Sequence, residues 1–152
     1  MKLFISKLYI WFDKGIKPRV ITFENNKVNV ITGSSSTGKS NIYAIIDYCL
    51  LSGRPNIVFP VINENASWYG LEFNVGDNFF AIARKKPTVD VVPPELYLQY
   101  EPFQDPFYPT SYNSHVNDAR RELDKAFGYK SNNELFYLSL IHISEPTRRV
   151  VI

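Results

Sequence analysis

The chain has 152 residues, of which 45% are hydrophobic and 21% charged, and its net charge is +2. This balance excludes a disordered chain and fits one globular domain. The charge is too small to indicate a nucleic-acid partner by itself. Cys49 is the single cysteine, so no disulfide forms within the chain and a cytoplasmic location is predicted. No signal peptide is visible and no apolar run reaches the ~18 residues that span a bilayer, so we expect no membrane partner.

Alternating apolar residues predict two strands near the start of the chain, over residues 2–12 and 19–24. The turn Asp13-Lys14-Gly15 separates them. A third strand is predicted over 27–32, directly before a glycine-rich loop. Small P-loop kinases usually begin with the strand that feeds this loop, so the two leading strands favour another branch of the P-loop proteins.

The loop after the third strand carries the phosphate-binding motif of glycine, four residues, glycine, lysine and serine, Gly33-Ser-Ser-Ser-Thr-Gly38-Lys39-Ser40. Its glycines let the backbone approach a phosphate closely, and its N–H groups converge on the anion. Lys39 would reach the β- and γ-phosphates of ATP as the catalytic residue, and the Ser40 hydroxyl would bind Mg²⁺. The residues predicted to bind ATP are Gly33, Ser34, Ser35, Ser36, Thr37, Gly38, Lys39, Ser40 and Asn41.

A helix is predicted over 40–51, where neither glycine nor proline occurs, and Gly53-Arg54-Pro55 ends it. Cys49 lies in this apolar helix and is expected to be a buried residue rather than a reactive thiol. A strand before the loop and a helix after it are the context that the motif requires. The alternative is a flexible Ser/Gly-rich loop that binds nothing.

A β-hairpin is predicted from Ser67 to Arg84, with its turn at Gly76-Asp77-Asn78. In its first strand Trp68, Gly70 and Glu72 share one face, and the other face consists of Tyr69, Leu71 and Phe73. The hairpin ends in Arg84, Lys85 and Lys86. This group is either a phosphate or DNA-backbone contact or an ordinary solvated strand end.

Prolines and aromatic residues dominate positions 87–109, which predicts an ordered irregular segment lying across the domain. Alternatively, the rings form a stacking surface for single-stranded nucleic acid. A helix is predicted from a cap at Asn113 or Ser114 to Phe127, with Gly128 as its stop. Its Arg120 and Arg121 are expected on a solvated face.

Five stretches together resemble the N-terminal end of an SMC-like, ABC-type ATPase, and more narrowly a bacterial family of uncharacterised ATPases. They are Phe23-Glu-Asn-Asn-Lys-Val-Asn-Val-Ile-Thr-Gly33, Thr37-Gly-Lys-Ser40, Ile45-Ile-Asp-Tyr-Cys-Leu50, Ser67-Trp-Tyr-Gly-Leu71 and Ile82-Ala-Arg-Lys-Lys-Pro87. The similarity covers residues 1 to about 90.

The resemblance implies an α/β fold, a P-loop NTPase head with a mixed sheet and an antiparallel β element, incomplete at its C-terminal side. It also implies a split head whose other half supplies the signature segment and the Asp-Glu pair. Two such heads sandwich ATP in a head-to-head homodimer. Members of the wider group act on DNA, with accessory proteins, in repair, chromosome handling or defence.

Near the end of the chain, Leu138-Ser-Leu-Ile-His-Ile-Ser-Glu-Pro-Thr-Arg148 resembles the conceptual translation of a transposon-end sequencing adapter. We therefore expect two parts, 1–137 as the N-terminal part of a P-loop ATPase head and 138–152 as a non-native tail. On this reading, His142, Ser144 and Glu145 carry no hydrolase or metal site. The chain would be a fragment, inactive by itself, of a longer protein that hydrolyses ATP.

Two other functions are compatible with the phosphate motif. One is a nucleotide-sensing module that binds ATP without hydrolysing it and assembles with a partner. The other is a P-loop nucleotide kinase, which needs an acceptor pocket and an arginine-bearing lid soon after the loop. The predicted hairpin occupies that part of the chain, which makes the kinase the weaker of the two.

Overall fold

The computed structural model describes residues 3–13, 16–23, 39–51, 65–88, 91–105 and 107–128. These residues form one six-stranded sheet and two helices. The strands are β1 (Leu3–Trp11), β2 (Arg19–Thr22), β3 (Trp68–Val75), β4 (Asn78–Lys85), β5 (Glu95–Gln99) and β6 (Ser114–His115), and the helices are α1 (Lys39–Cys49) and α2 (Val116–Phe127). The strand order across the sheet is β2-β1-β3-β4-β5-β6, and every neighbouring pair is antiparallel.

The antiparallel sheet contradicts the predicted fold class. An α/β P-loop head requires parallel strands, and each parallel connection needs a crossover of about a dozen residues or more. The hairpin of β3 and β4 has a turn of two residues, Gly76 and Asp77, which only an antiparallel pair accommodates. The prediction was wrong because the direction of the strands was inferred from the loop motif and from the resemblance to a P-loop family. The predicted strand over 27–32 lies outside the described residues.

Several predicted elements are confirmed close to their expected ends. The hairpin is present as β3 and β4, and the first two predicted strands are β1 and β2. The helix predicted over 40–51 spans Lys39–Cys49. Strand β5 was missed, because Pro93-Pro94 directly before it suggested an irregular segment.

Helix α2 ends at Phe127 as predicted, and Gly128 stops it with a left-handed φ of 80°. Its predicted start was wrong by one or two residues. His115 is the N-cap, and its Nδ1 accepts the N–H of Asn117 at 3.1 Å. The prediction favoured Asn113 or Ser114 because histidine is an uncommon cap.

Both faces of the sheet are covered. The helix face packs against α1 and α2, and its sheet residues include Leu8, Ile10, Tyr69, Leu71, Phe73, Ile82 and Leu96. The opposite, aromatic face consists of Tyr9, Trp11, Trp68, Ala81, Ala83 and Phe103, with Phe79, Tyr97, Phe107 and Tyr108 packed against them. The predicted alternation along β3 is confirmed, since Tyr69, Leu71 and Phe73 lie on the helix face and Trp68 on the aromatic face.

Residues 100–105 and 107–112, which we call the covering segment, lie over the aromatic face. Trp11 donates from Nε1 to the Phe107 carbonyl at 2.9 Å, and the Tyr108 hydroxyl donates to the Phe12 carbonyl. Phe103 is buried against the stacked rings of Tyr9 and Trp11 and makes edge-on contacts with both. The prediction of an ordered irregular segment across the domain is therefore confirmed for the part after residue 99, whereas residues 95–99 form strand β5.

Within the described ranges, neither helix is both long and apolar enough to cross a membrane. The tail over 138–152, and the division of the chain at 137, lie outside the described residues.

Candidate functional site

Helix α1 begins at Lys39, the residue that follows Gly38 of the phosphate motif. The predicted site residues 33–38 lie outside the described residues. For Lys39, Ser40 and Asn41 the structure describes the helical backbone only. The first turn of α1 contains no acidic residue. A helix N-terminus carries about half a positive charge, and no carboxylate of this first turn neutralises it. The start of α1 is thus electrostatically suited to an anion.

Apolar packing fixes α1 against the sheet. Ile42, Ile45, Ile46 and Cys49 are buried in the core of the helix face, and Tyr43 points outward with 36% of its surface exposed. The Tyr48 hydroxyl donates to the Lys85 carbonyl at 2.7 Å and joins the helix to the end of β4. The position of the first turn is therefore set by the sheet.

Arg84 lies inside the protein at the C-terminal end of α1. Its side chain is 2% exposed, and its Nη1 and Nη2 donate to the carbonyls of Tyr48 and Pro93, both at 3.0 Å. Neither predicted role fits this placement. A solvated strand end would be exposed, and a phosphate or DNA contact would need the guanidinium at the surface. The residue beside it, Lys85, is exposed as the prediction of a solvated strand end requires.

A second arginine reaches the same end of α1 from α2. Arg120 donates from Nη2 to the Leu51 carbonyl at 2.8 Å, so the prediction that it belongs to a solvated face was wrong. Arg121 does lie on that face, where it pairs with Asp118 at 2.7 Å. The last turn of α1 contains no basic residue. Arg84 and Arg120 supply from other elements the positive charge that a helix C-terminus favours.

Burial dominates the titration of the groups at this end of α1. It raises the pKa of the Cys49 thiol to about 12, with the charge of Arg84 acting weakly in the opposite direction. It raises the pKa of the Tyr48 hydroxyl to about 12 as well, again opposed by Arg84. Burial lowers the pKa of Arg84. Cys49 has no exposed surface, which confirms the prediction that it is a buried residue.

The aromatic face holds a buried carboxylate that the sequence analysis did not single out. Glu72 is 2% exposed, and its Oε2 accepts the Tyr9 hydroxyl at 2.7 Å and the Phe103 N–H at 2.9 Å. Burial, followed by the hydrogen bond to Glu72, raises the pKa of Tyr9. The available signal was an acidic residue on the same face of β3 as Trp68, within a strand whose other residues, except Asn74, are apolar or aromatic.

The rings of this face do not form the stacking surface that was considered for single-stranded nucleic acid. Trp11 is fully buried and Phe103 is 7% exposed, so their ring faces contact protein instead of solvent. Tyr100, at 55% exposure, is the most exposed ring of the covering segment. A stacking platform needs several accessible ring faces in a row.

In the part of the chain that the structure describes, no group of three or more His, Cys, Asp or Glu side chains could hold a metal ion. The one predicted metal ligand, Ser40, belongs to the phosphate motif, where a single hydroxyl joins oxygens of the nucleotide and water around Mg²⁺.

The chain matches no protein-family model and no curated protein. The resemblance to SMC-like ATPases therefore rests on the quoted stretches alone.

Proposed function

We propose that this chain binds ATP together with Mg²⁺ through residues Gly33–Ser40. The observation that supports the proposal most directly is the start of α1 at Lys39. The motif needs its lysine and serine in the first turn of a helix, after a glycine-rich loop. A first turn without acidic residues leaves the positive end of that helix for phosphate.

In this proposal each residue of the motif has a separate task. The N–H groups of the loop surround the phosphates, and Lys39 balances the charge on the β- and γ-phosphates. Ser40 would hold Mg²⁺ through its hydroxyl. The buried apolar face of α1 supports these tasks, since a firmly packed helix holds its first turn in place without further contacts.

A wider proposal for the whole protein rests only on the resemblance to SMC-like ATPases and on the single cysteine. The wider protein would hydrolyse ATP as a pair of copies in a bacterial cytoplasm, and would act on DNA in repair, chromosome handling or defence. Accessory proteins belong to the same extension. No contact among the described residues supports these additional proposals about hydrolysis, dimerisation or DNA.

Calorimetric titration of the chain with Mg·ATP tests the proposal. Lys39→Ala should weaken binding about 100-fold or more, because a charged group that makes two hydrogen bonds is lost. The circular dichroism spectrum should stay unchanged. Lys85→Ala removes an exposed lysine from the end of β4 and is the matched control, which should bind as the parent does. Equal binding by the parent and by Lys39→Ala would remove the motif from the site.

A second titration without Mg²⁺ isolates the role of Ser40. Ser40→Ala should abolish the gain in affinity that Mg²⁺ confers while keeping the weaker metal-free binding. Phosphate release from ATP should stay at the background level, because a split head lacks the half that supplies the signature segment and the Asp-Glu pair. Turnover that depends on Lys39 would instead favour a P-loop kinase.

A further inference from the structure

A pocket of about 230 Å³ lies on the aromatic face, between the β1–β2 pair and the covering segment. Its apolar lining includes Tyr9, Trp11, Phe103, Phe107 and Val20. Val20 is 43% exposed and Phe107 is half-buried, whereas the other three rings are buried behind them. A cavity of about 150 Å³ with apolar walls holds benzene. The pocket is therefore large enough for one aromatic ring and a small substituent.

Two lysines are among the residues that line this pocket. Lys7 comes from β1, and Lys17 precedes β2. Within the described ranges neither lysine forms an ion pair. Lys7 stands directly opposite Glu72 in the register of β1 and β3. Oε2 of Glu72 instead accepts two hydrogen bonds from other groups, as described above.

The covering segment contributes the remaining polar groups of the rim, Gln104 and Asp105, which are both exposed. Among the described residues that line the pocket, Asp105 is the one carboxylate, against two lysines. An anion in the pocket would therefore be drawn to the lysine side, where a charge-assisted hydrogen bond is stronger than a neutral one. Asp105 and Gln104 remain available to accept a donor carried by the ring.

We propose that this pocket binds a small planar aromatic anion, a single ring that bears a carboxylate or a phosphate. The ring would lie against Val20 and an offset or edge-on side of Phe107, the apolar lining residues of the two strands and the covering segment that solvent reaches. The anionic group would lie against Lys7 and Lys17. Small-molecule pockets commonly combine such apolar walls with a few placed polar groups.

This site is separate from the proposed nucleotide site. Helix α1, whose first turn carries the end of the phosphate motif, packs against the helix face of the sheet. The pocket opens on the aromatic face. The Lys39→Ala variant should therefore bind the aromatic anion as the parent does, which keeps the failure of one proposal distinct from the failure of the other.

The test is a titration of the ¹⁵N-labelled chain followed by amide chemical shifts. Benzoate is the main probe, acetate provides the charge without the ring, and benzyl alcohol provides the ring without the charge. Benzoate should shift the amides of residues 7–11, 17, 19, 20, 103–105 and 107 and reach saturation, with at least tenfold weaker binding of the two partial probes. Phenyl phosphate, titrated in parallel, shows whether a carboxylate or a phosphate is preferred.

Lys7→Gln combined with Lys17→Gln should weaken benzoate binding about tenfold or more, since two charged partners are lost. Lys17 is exposed and Lys7 is half-buried, and glutamine keeps most of the lysine stem, so the fold should persist. Lys125→Gln, an exposed lysine on α2, is the matched control and should change nothing. The proposal is overturned if benzyl alcohol binds as tightly as benzoate, if the double variant binds like the parent, or if no saturable shift occurs at these amides.

Discussion

The guanidinium carbon of Arg84 lies 4.1 Å from the centre of the Tyr48 ring, while Nη1 of the same arginine donates to the Tyr48 carbonyl at 3.0 Å. One residue of α1 thus receives both a cation–π contact and a hydrogen bond from β4. A desolvated cation–π contact contributes about 2 kcal/mol. Since Tyr48 also donates to the Lys85 carbonyl, the two elements are joined in both directions.

Removing the Arg84 cation should therefore loosen α1 from the sheet. We expect Arg84→Met to lower the free energy of unfolding by about 3 kcal/mol, because the carbonyls of Tyr48 and Pro93 lose a charged donor inside the protein. The free energy of unfolding of Arg84→Lys should lie between those of the parent and of Arg84→Met. An ammonium keeps the charge but cannot donate to both carbonyls with the planar geometry of a guanidinium. Urea unfolding measures both values.

The neighbouring residue provides the control for this prediction. Lys85→Met changes an exposed lysine on the same strand and should stay within about 0.5 kcal/mol of the parent. If Arg84→Met and Lys85→Met unfold at the same urea concentration, Arg84 does not join α1 to β4 in the way described.

Gly70 is expected to be intolerant of any side chain. A Cβ at this position would lie 2.4 Å from Cζ3 and 2.5 Å from Cη2 of Trp11. Trp11 cannot yield easily, because it is fully buried and its Nε1 is bonded to the Phe107 carbonyl. Gly70→Ala should cost about 2 kcal/mol of stability through overpacking, measured by chemical unfolding.

A double-mutant cycle separates this steric effect from the general effect of alanine at position 70. Trp11→Phe removes the outer ring atoms that the new Cβ would meet. The penalty of Gly70→Ala should then fall to less than half its value in the parent. An unchanged penalty would place the clash elsewhere, for instance at the Ile82 carbonyl, which would be 3.2 Å away.

Glu72 is expected to hold the covering segment on the sheet. Glu72→Ala removes the acceptor of the Phe103 N–H and leaves that amide buried without its partner. Hydrogen exchange of the Phe103 amide, followed by NMR, should become at least tenfold faster than in the parent. Glu95→Ala on β5 changes an exposed carboxylate and should leave the Phe103 amide protected.

The stability of the fold should decrease above pH 9, and Cys49 should account for part of the loss. Burial raises the pKa of its thiol from 9.0 to about 12. Between these values the unfolded chain has released the proton and the folded chain has kept it, so the unfolded state gains stability as the pH rises. Going from pH 8 to pH 10 should cost about 1.4 kcal/mol at this residue.

Urea unfolding of the parent and of Cys49→Ala at pH 8, 9 and 10 measures the loss of stability that Cys49 causes. The parent should lose more stability than the variant by the stated amount, whatever the starting difference between them. Tyr48 is present in both proteins, and its own raised pKa adds to the loss near and above pH 10. Parallel pH curves for the two proteins would show that the Cys49 thiol ionises alike in the folded and unfolded states.

Local features of this protein were determined by the sequence itself. The period-two alternation along β3 predicts which residues share a face, and the turn at Gly76-Asp77 predicts the hairpin. The end of α2 follows from Gly128, which adopts the left-handed conformation that glycine tolerates. Each of these depends on residues that are neighbours along the chain, which explains why pattern and turn chemistry suffice.

The tertiary structure decided the sheet, the buried charges and the pocket. The order of the strands depends on β1 pairing with β3, a contact between distant parts of the chain. Arg84 is buried because Tyr48, 36 residues earlier in the chain, provides a ring and a carbonyl that contact its guanidinium. Glu72 is buried because the N–H of Phe103, 31 residues later, donates to its carboxylate. No local pattern around an arginine or a glutamate encodes such a partner. Their environment is therefore set by packing between elements, which only the assembled fold defines.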